Sequence, residues 1–244
     1  MIPKIIHYCW FGGSELPPYV EKCIETWKKY CPDYQIRRWD ESNFDVNMLD
    51  YTREAYNAGK YAFVSDVARL YVIKNEGGFY LDTDVELIKS LDSLRNYDAY
   101  MGIESGNDNV ATGLGFGAIP NHPVIAKNLA AYQHRKFIKN SKMDLTTCVT
   151  ITKKSLRDIL PSLVVKKEPV TYNVDNTTFT ILPKEVLCPY DLKTNKLNIT
   201  PNTITIHHYK ASWKDKPDRF LKLKMIMRQM IGDDIYDKIK SLIL

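Results

Sequence analysis

The segment Gly77-Gly78-Phe79-Tyr80-Leu81-Asp82-Thr83-Asp84 constrains the fold more than any other part of the chain. Paired glycines are a usual left-handed stop for a helix. The helix they would end is visible upstream, where Val67, Leu70, Tyr71 and Ile73 are apolar and Ser65 is the expected N-cap. Phe79-Tyr80-Leu81 then reads as a short buried strand running straight into two carboxylates. A helix, a glycine stop and a buried strand in that order predict an α/β sheet, and groups at the carboxyl end of such a strand stand where open sheets bind ligands.

The rest of the chain fits that class. Ile2, Ile5, Ile6, Tyr8, Trp10 and Phe11 followed by Gly12-Gly13 predict a buried first strand, in which His7 is a core residue. A helix is expected from Tyr19 to Tyr30, stopped by Pro32, and a strand over Tyr34–Trp39. Residues 42–64 suggest short helices, Ala99–Glu104 a strand, Asn107-Asp108-Asn109 a loop, Gly113–Ile119 a glycine-rich strand and Pro123–Tyr132 a helix. Residues 160–208 read as strand and turn, and an amphipathic helix is expected from about Asp218 to Leu244. Two units follow: a main α/β domain over 1–216 and a C-terminal helix over 217–244 that packs on it or faces a membrane.

Composition narrows the class of partner. A net charge of +5, from 34 basic and 29 acidic residues without a basic run before the C-terminal segment, argues against nucleic acid. Five cysteines, an odd number with no C-x-x-C spacing, argue against a disulfide framework or a thiolate zinc site. No signal-peptide-like or 18-residue apolar stretch is present, so the expected location is cytoplasmic.

Residues i and i+2 of an extended chain point to the same side, so Asp82 and Asp84 can face one point. Two carboxylates there suit Mg²⁺ or Mn²⁺ bridging a diphosphate; a solvated turn is the alternative. Asp66 and Arg69, three apart on one helix face, read either as a local ion pair or as a clamp for ribose, sugar hydroxyls or phosphate.

Three blocks occur in order: Ile6-His7-Tyr8-Cys9-Trp10-Phe11-Gly12-Gly13, Ser65-Asp66-Val67-Ala68-Arg69 and Gly77-Gly78-Phe79-Tyr80-Leu81-Asp82-Thr83-Asp84. Together they resemble glycosyltransferase family 32 and the catalytic domain of the clostridial glucosylating toxins, over about residues 1–125 and again near 207–213. The resemblance implies a GT-A fold, a Rossmann-like mixed sheet flanked by helices, with bound Mn²⁺ or Mg²⁺. It implies that Trp10 stacks on the nucleobase, that Asp66, Arg69 and Asp82 hold ribose and sugar, and that Asp84 ligates the metal. Asp82, Asp84 and Arg69 are the expected catalytic residues.

Thr205-Ile206-His207-His208-Tyr209-Lys210-Ala211-Ser212-Trp213 supplies the late residues of the pattern. His208 is the expected third metal ligand, with His207 the alternative; Ser212 and Trp213 are expected at the donor, with Trp213 over the diphosphate. Asn109 and Gly113–Gly117 are candidates for the donor sugar, or else a tight turn and backbone packing. The expectation is thus a retaining glycosyltransferase that moves a hexose or N-acetylhexosamine from a nucleotide-sugar, UDP-linked, to a glycan or lipid-linked glycan acceptor. Bacterial surface polysaccharide is the expected setting, with the C-terminal helix a candidate for peripheral membrane contact. A haloacid-dehalogenase-like phosphatase and a non-catalytic carbohydrate-binding module are the rival readings.

Overall fold

The computed structural model of the chain describes residues 1–105, 109–160, 162–164, 166–191 and 196–210. Ser212, Trp213 and the expected C-terminal helix lie outside the described residues. The elements run β1 (Ile5–Cys9), α1 (Pro18–Tyr30), β2 (Gln35–Trp39), α2 (Asp50–Asn57), α3 (Tyr61–Glu76), β3 (Gly78–Tyr80), β4 (Val85–Leu87), β5 (Ala99–Ser105), β6 (Asn109–Ala111), β7 (Phe116–Ala118) and α4 (Pro123–Ala130). There follow β8 (Ile138–Lys139), β9 (Lys142–Met143), α5 (Cys148–Ile159), β10 (Val170–Val174), β11 (Thr177–Leu182), α6 (Lys184–Leu187), β12 (Tyr190–Asp191), β13 (Lys196–Leu197) and β14 (Thr205–His207).

The main sheet has the order β10-β11-β5-β7-β3-β1-β2, with β6 on β5. Strand β1 runs parallel to both β2 and β3, whereas β7 is antiparallel to β3 and β5. Alternation along each strand sorts the side chains into two cores. Ile6, Tyr8, Phe79 and Tyr100 go to one, with α1; Cys9, Tyr80, Met101 and Phe179 go to the other, with α2 to α5. This is the mixed sheet flanked by helices that the sequence implied. Because β1 and β3 are parallel neighbours, Trp10 and Asp82 emerge at the same edge.

Two local expectations change, and one helix stands where none was expected. Helix α3 begins at Tyr61, a turn earlier than expected. Ser65 is therefore no N-cap; its hydroxyl donates to the Tyr61 carbonyl at 3.1 Å. The stop itself is as read, with Gly77 at φ 68° and Gly78 at φ 94°. A Cβ on Gly78 would lie 2.7 Å from the Ile5 carbonyl, so the close strand approach also needs glycine. Asn109 opens β6 rather than closing a loop. Lastly, residues 148–159 form a helix that composition hid: Cys148-Val149-Thr150-Ile151-Thr152 is rich in β-branched residues, yet Thr147 caps it by accepting from the Thr150 N–H.

Candidate active site

Helix α3 lies on the sheet with Asp66 and Arg69 turned inward, and both are buried. The Arg69 guanidinium stands over the Tyr80 ring at 4.9 Å. Its Nη2 reaches Asp66 Oδ1 at 3.2 Å and Asp82 Oδ1 at 3.1 Å. Its Nε donates to the Ser65 carbonyl at 3.2 Å, and Nη1 faces the Thr112 hydroxyl at 3.4 Å and Cys148 Sγ at 4.0 Å. Both readings of the Asp66–Arg69 pair thus meet in one place. The pair is real, and it is welded to Asp82 rather than solvated. In this geometry Arg69 positions two carboxylates.

Asp82 and Asp84 do converge, but by a different route from strand alternation. Residues 82–85 form a tight turn closed by the Val85 N–H on the Asp82 carbonyl at 3.0 Å. The chain then enters β4, which pairs antiparallel with β14 in the register His207↔Val85. That register brings His207 Nε2 to Asp84 Oδ1 at 3.2 Å. The Lys210 N–H donates to Asp84 Oδ2 at 2.8 Å. His208, expected as the ligand, turns the other way and meets Glu86 at 2.8 Å. Adjacent strand residues face opposite sides, and the register assigns the inward side to His207.

Ligand atoms of Asp82, Asp84 and His207 all lie within 4.8 Å of one another. Two carboxylate oxygens and an imidazole suit a divalent cation of the Mg²⁺ or Mn²⁺ type. Two further observations fit. His207 Nδ1 is buried with no hydrogen-bond partner among the described residues. The cluster also holds three carboxylates, on Asp66, Asp82 and Asp84, against the cations of Arg69 and, when protonated, His207.

The titration pattern follows from burial and these pairs. Burial pushes Asp66 up to about 6 against the pull of Arg69. Burial likewise raises Asp82, Arg69 opposing. Burial acts on Asp84 too, but His207 and the Lys210 N–H overcome it and hold the carboxyl below its usual range. Burial lowers His207 while the Asp84 carboxylate raises it, and the raise prevails.

Sequence reasoning missed Thr112 and Cys148, and named Gly113 only within the run Gly113–Gly117. A Cβ on Gly113 would stand 2.6 Å from Asp82 Oδ2, so a side chain there would push the Asp82 carboxylate from its place. The run Gly113–Gly117 was the available signal. Trp10 sits half-buried at the end of β1, its indole N–H donating to the Ser14 carbonyl at 2.8 Å. Asn109 is half-buried on β6, the strand that leads to Thr112. The tyrosine, arginine and turn contacts of Asp82 leave it unlike a free phosphatase nucleophile.

Residues 17–101 match the family described as a glycosyltransferase sugar-binding region containing a DXD motif. An uncharacterised glycosyltransferase of Acanthamoeba polyphaga mimivirus is 33% identical over 55% of this chain and 58% of its own length. Inositol phosphoceramide mannosyltransferase 3 of Schizosaccharomyces pombe is 35% identical over 41% of this chain and 29% of its own length. The chain thus spans less than two thirds of these relatives. A solved structure titled PaToxG Glycosyltransferase superposes over 66% of this chain and 70% of that one, with 19% identity and a TM-score of 0.49, too loosely to assign a residue role. Residues 17–101, which hold Asp66, Arg69, Asp82 and Asp84, are thus similar to the sugar-binding region of the glycosyltransferases that carry a DXD motif.

Proposed function

We propose that this chain is a metal-dependent glycosyltransferase that moves a hexose or N-acetylhexosamine from a UDP-sugar to a glycan or lipid-linked glycan, with retention of anomeric configuration. The observation that carries the reading is the convergence of Asp82, Asp84 and His207 within 4.8 Å at the sheet edge where Trp10 also emerges. Asp84 and His207 would hold the cation with Asp82, and a cation there supplies Lewis-acid stabilisation of the charge that develops on a departing diphosphate. Arg69 fixes Asp66 and Asp82 in place so that their outward oxygens can accept hydrogen bonds from ribose or sugar hydroxyls. Gly113 leaves Asp82 the room to do so. Neither a covalent nucleophile nor a separate base is required when the leaving phosphate assists the acceptor hydroxyl, which is the basis of the retention proposal. Surface-polysaccharide synthesis in the cytoplasm is the setting that this reading proposes.

A second donor, GDP-mannose, is favoured by the mannosyltransferase title of one relative. One screen separates the two. Purified protein is heated and assayed for nucleotide release with UDP-glucose, UDP-galactose, UDP-N-acetylglucosamine and GDP-mannose, with and without Mn²⁺. A Mn²⁺-dependent rise in Tm and slow release of UDP from one donor is the expected result. Release of GDP alone reassigns the donor, and folded protein that neither binds nor cleaves any of the four refutes the reading.

A further inference from the structure

Tyr209 holds a backbone conformation that its side chain disfavours, with φ at 53°. Asn121, Asn140, Ser141 and Asp175 also have positive φ in the described chain. Those four are small, polar and placed in turns, and Asn and Asp enter this region at little cost. A bulky residue there is an outlier that the surrounding structure must hold in place.

Helix α6 supplies the hold. The Val186 carbonyl accepts from the Ile204 N–H at 2.8 Å, and the Leu187 carbonyl accepts from the Thr205 hydroxyl at 2.7 Å. Cys188, fully buried at the end of the same helix, has its Sγ 2.9 Å from the Tyr209 hydroxyl. The Tyr190 ring adds a contact at 6.3 Å. Val186, Leu187 and Cys188 thus fasten both β14 and the residue two places beyond it.

The consequence of that hold lies at Asp84. Strand β14 ends at His207, opposite Val85, and the His208 N–H donates to the Asp84 carbonyl at 3.0 Å. The left-handed residue then brings the Lys210 N–H onto Asp84 Oδ2 at 2.8 Å. An extended chain would carry that N–H about 6.7 Å past the one on His208. Meanwhile the Tyr209 ring stands against the His207 imidazole, with centroids 4.2 Å apart and planes at 81°. A histidine that ligates a metal is usually oriented by a hydrogen bond at its second ring nitrogen. Among the described residues His207 Nδ1 has no such partner. The ring plane that puts Nε2 3.2 Å from Asp84 Oδ1 is therefore set by Tyr209.

We infer that Tyr209 is a positioning residue for the cation site: its ring orients His207, and its left-handed backbone fastens Asp84. This rests on the reading of Asp82, Asp84 and His207 as cation ligands given above.

Mn²⁺ alone is titrated into the full chain, and the free ion is followed by its electron paramagnetic resonance signal. The metal-free Tm is measured on the same protein. Tyr209→Phe keeps the ring and should bind Mn²⁺ as wild type does, with a slightly lower Tm from the lost contact with Cys188. Tyr209→Asn accepts the left-handed backbone but lacks the ring, and should weaken Mn²⁺ binding about tenfold or more while staying folded. Tyr209→Leu, apolar but without a flat ring, should weaken it likewise and decides the matter if the Asn variant does not fold. Wild-type affinity in the Asn or Leu variant, with only the Tm lowered, would make Tyr209 a packing residue and overturn the inference. So would a Phe variant as weak as the Asn variant, because the hydroxyl rather than the ring would then matter. Wild type that takes up no Mn²⁺ is a separate failure, which would defeat the cation reading and this inference with it.

Discussion

Two buried polar groups on the same side of the sheet behave in opposite ways. His7, in β1, is complete within the protein: Nε2 donates to the Gly77 carbonyl at 3.0 Å and Nδ1 accepts from the Trp39 indole at 3.0 Å. Burial holds it neutral, lowering its pKa to about 4. The cluster around Arg69 is incomplete. Among the described residues its carboxylates outnumber its cations, and His207 Nδ1 has no partner. Both arrangements bury polar atoms at a cost. One recovers that cost inside the fold, while the other is left short of a positive charge. Polar burial that closes on itself serves the fold; polar burial with something missing marks where a ligand belongs.

The largest test of that contrast is Asp84→Asn. Removing one carboxylate from an acid-rich cluster should cut donor turnover about thousandfold and abolish the Mn²⁺-dependent rise in Tm. The metal-free Tm should fall only modestly, because the amide keeps an acceptor for the Lys210 N–H and loses the pairing with His207. A metal-free loss of several kcal/mol with the Mn²⁺ response intact would instead place Asp84 with His7 among the residues that serve the fold.

Arg69→Ala should have the reverse signature. It leaves Asp66 and Asp82 without their shared cation and should cost about 3–5 kcal/mol by chemical denaturation. An unperturbed denaturation midpoint would show that the pair is weak and that Arg69 is free to bind substrate.

The two regions should also respond oppositely to acid. His7 has a folded pKa below its unfolded value of 6.5, so the unfolded chain binds the proton first. Its contribution is complete above pH 6.5 and is lost as pH falls towards 4, by about 3 kcal/mol. Asp66 has a folded pKa of about 6, above its usual 3.8, so its folded state binds the proton first and gains stability over much the same window. The wild type should therefore lose little between pH 6.5 and 4, and Asp66→Asn should expose the His7 loss. Equal acid slopes in the two proteins would break the comparison.

The smallest effect separates adjacent histidines. His208→Gln should change stability by about 0.5 kcal/mol or less, as an exposed pairing with Glu86 would, and should leave the Mn²⁺ response intact. His207→Gln should remove that response. If the two results were exchanged, the register of β14 on β4 would be wrong.

These contrasts also mark what local pattern can carry. Asp66 and Arg69 are three apart, and helical geometry alone puts them on one face. The stop at Gly77-Gly78 and the strand before Asp82 depend on neighbours in sequence, so they too were legible. Ser65 misled because a hydroxyl that caps a helix and one that bonds back to the previous turn look alike in sequence. Helix α5 was hidden because its five opening residues favour a strand locally, and only packing of Ile151, Thr152, Ser155 and Leu156 against the core selects the helix.

The sequence by itself determined the α/β class, the helix that carries Asp66 and Arg69, and the acidic pair at the end of β3. Each follows from short-range geometry: a period of 3.6 or 2, a glycine stop, a turn. Tertiary structure alone decided that His207 rather than His208 faces Asp84, that Thr112 and Cys148 complete the surroundings of Arg69, and that a side chain on Gly113 would displace Asp82. Those outcomes turn on the register of β14 against β4, whose paired residues are far apart in the chain. A shift of one residue there exchanges the inward histidine for the outward one, and no local preference of either residue opposes it.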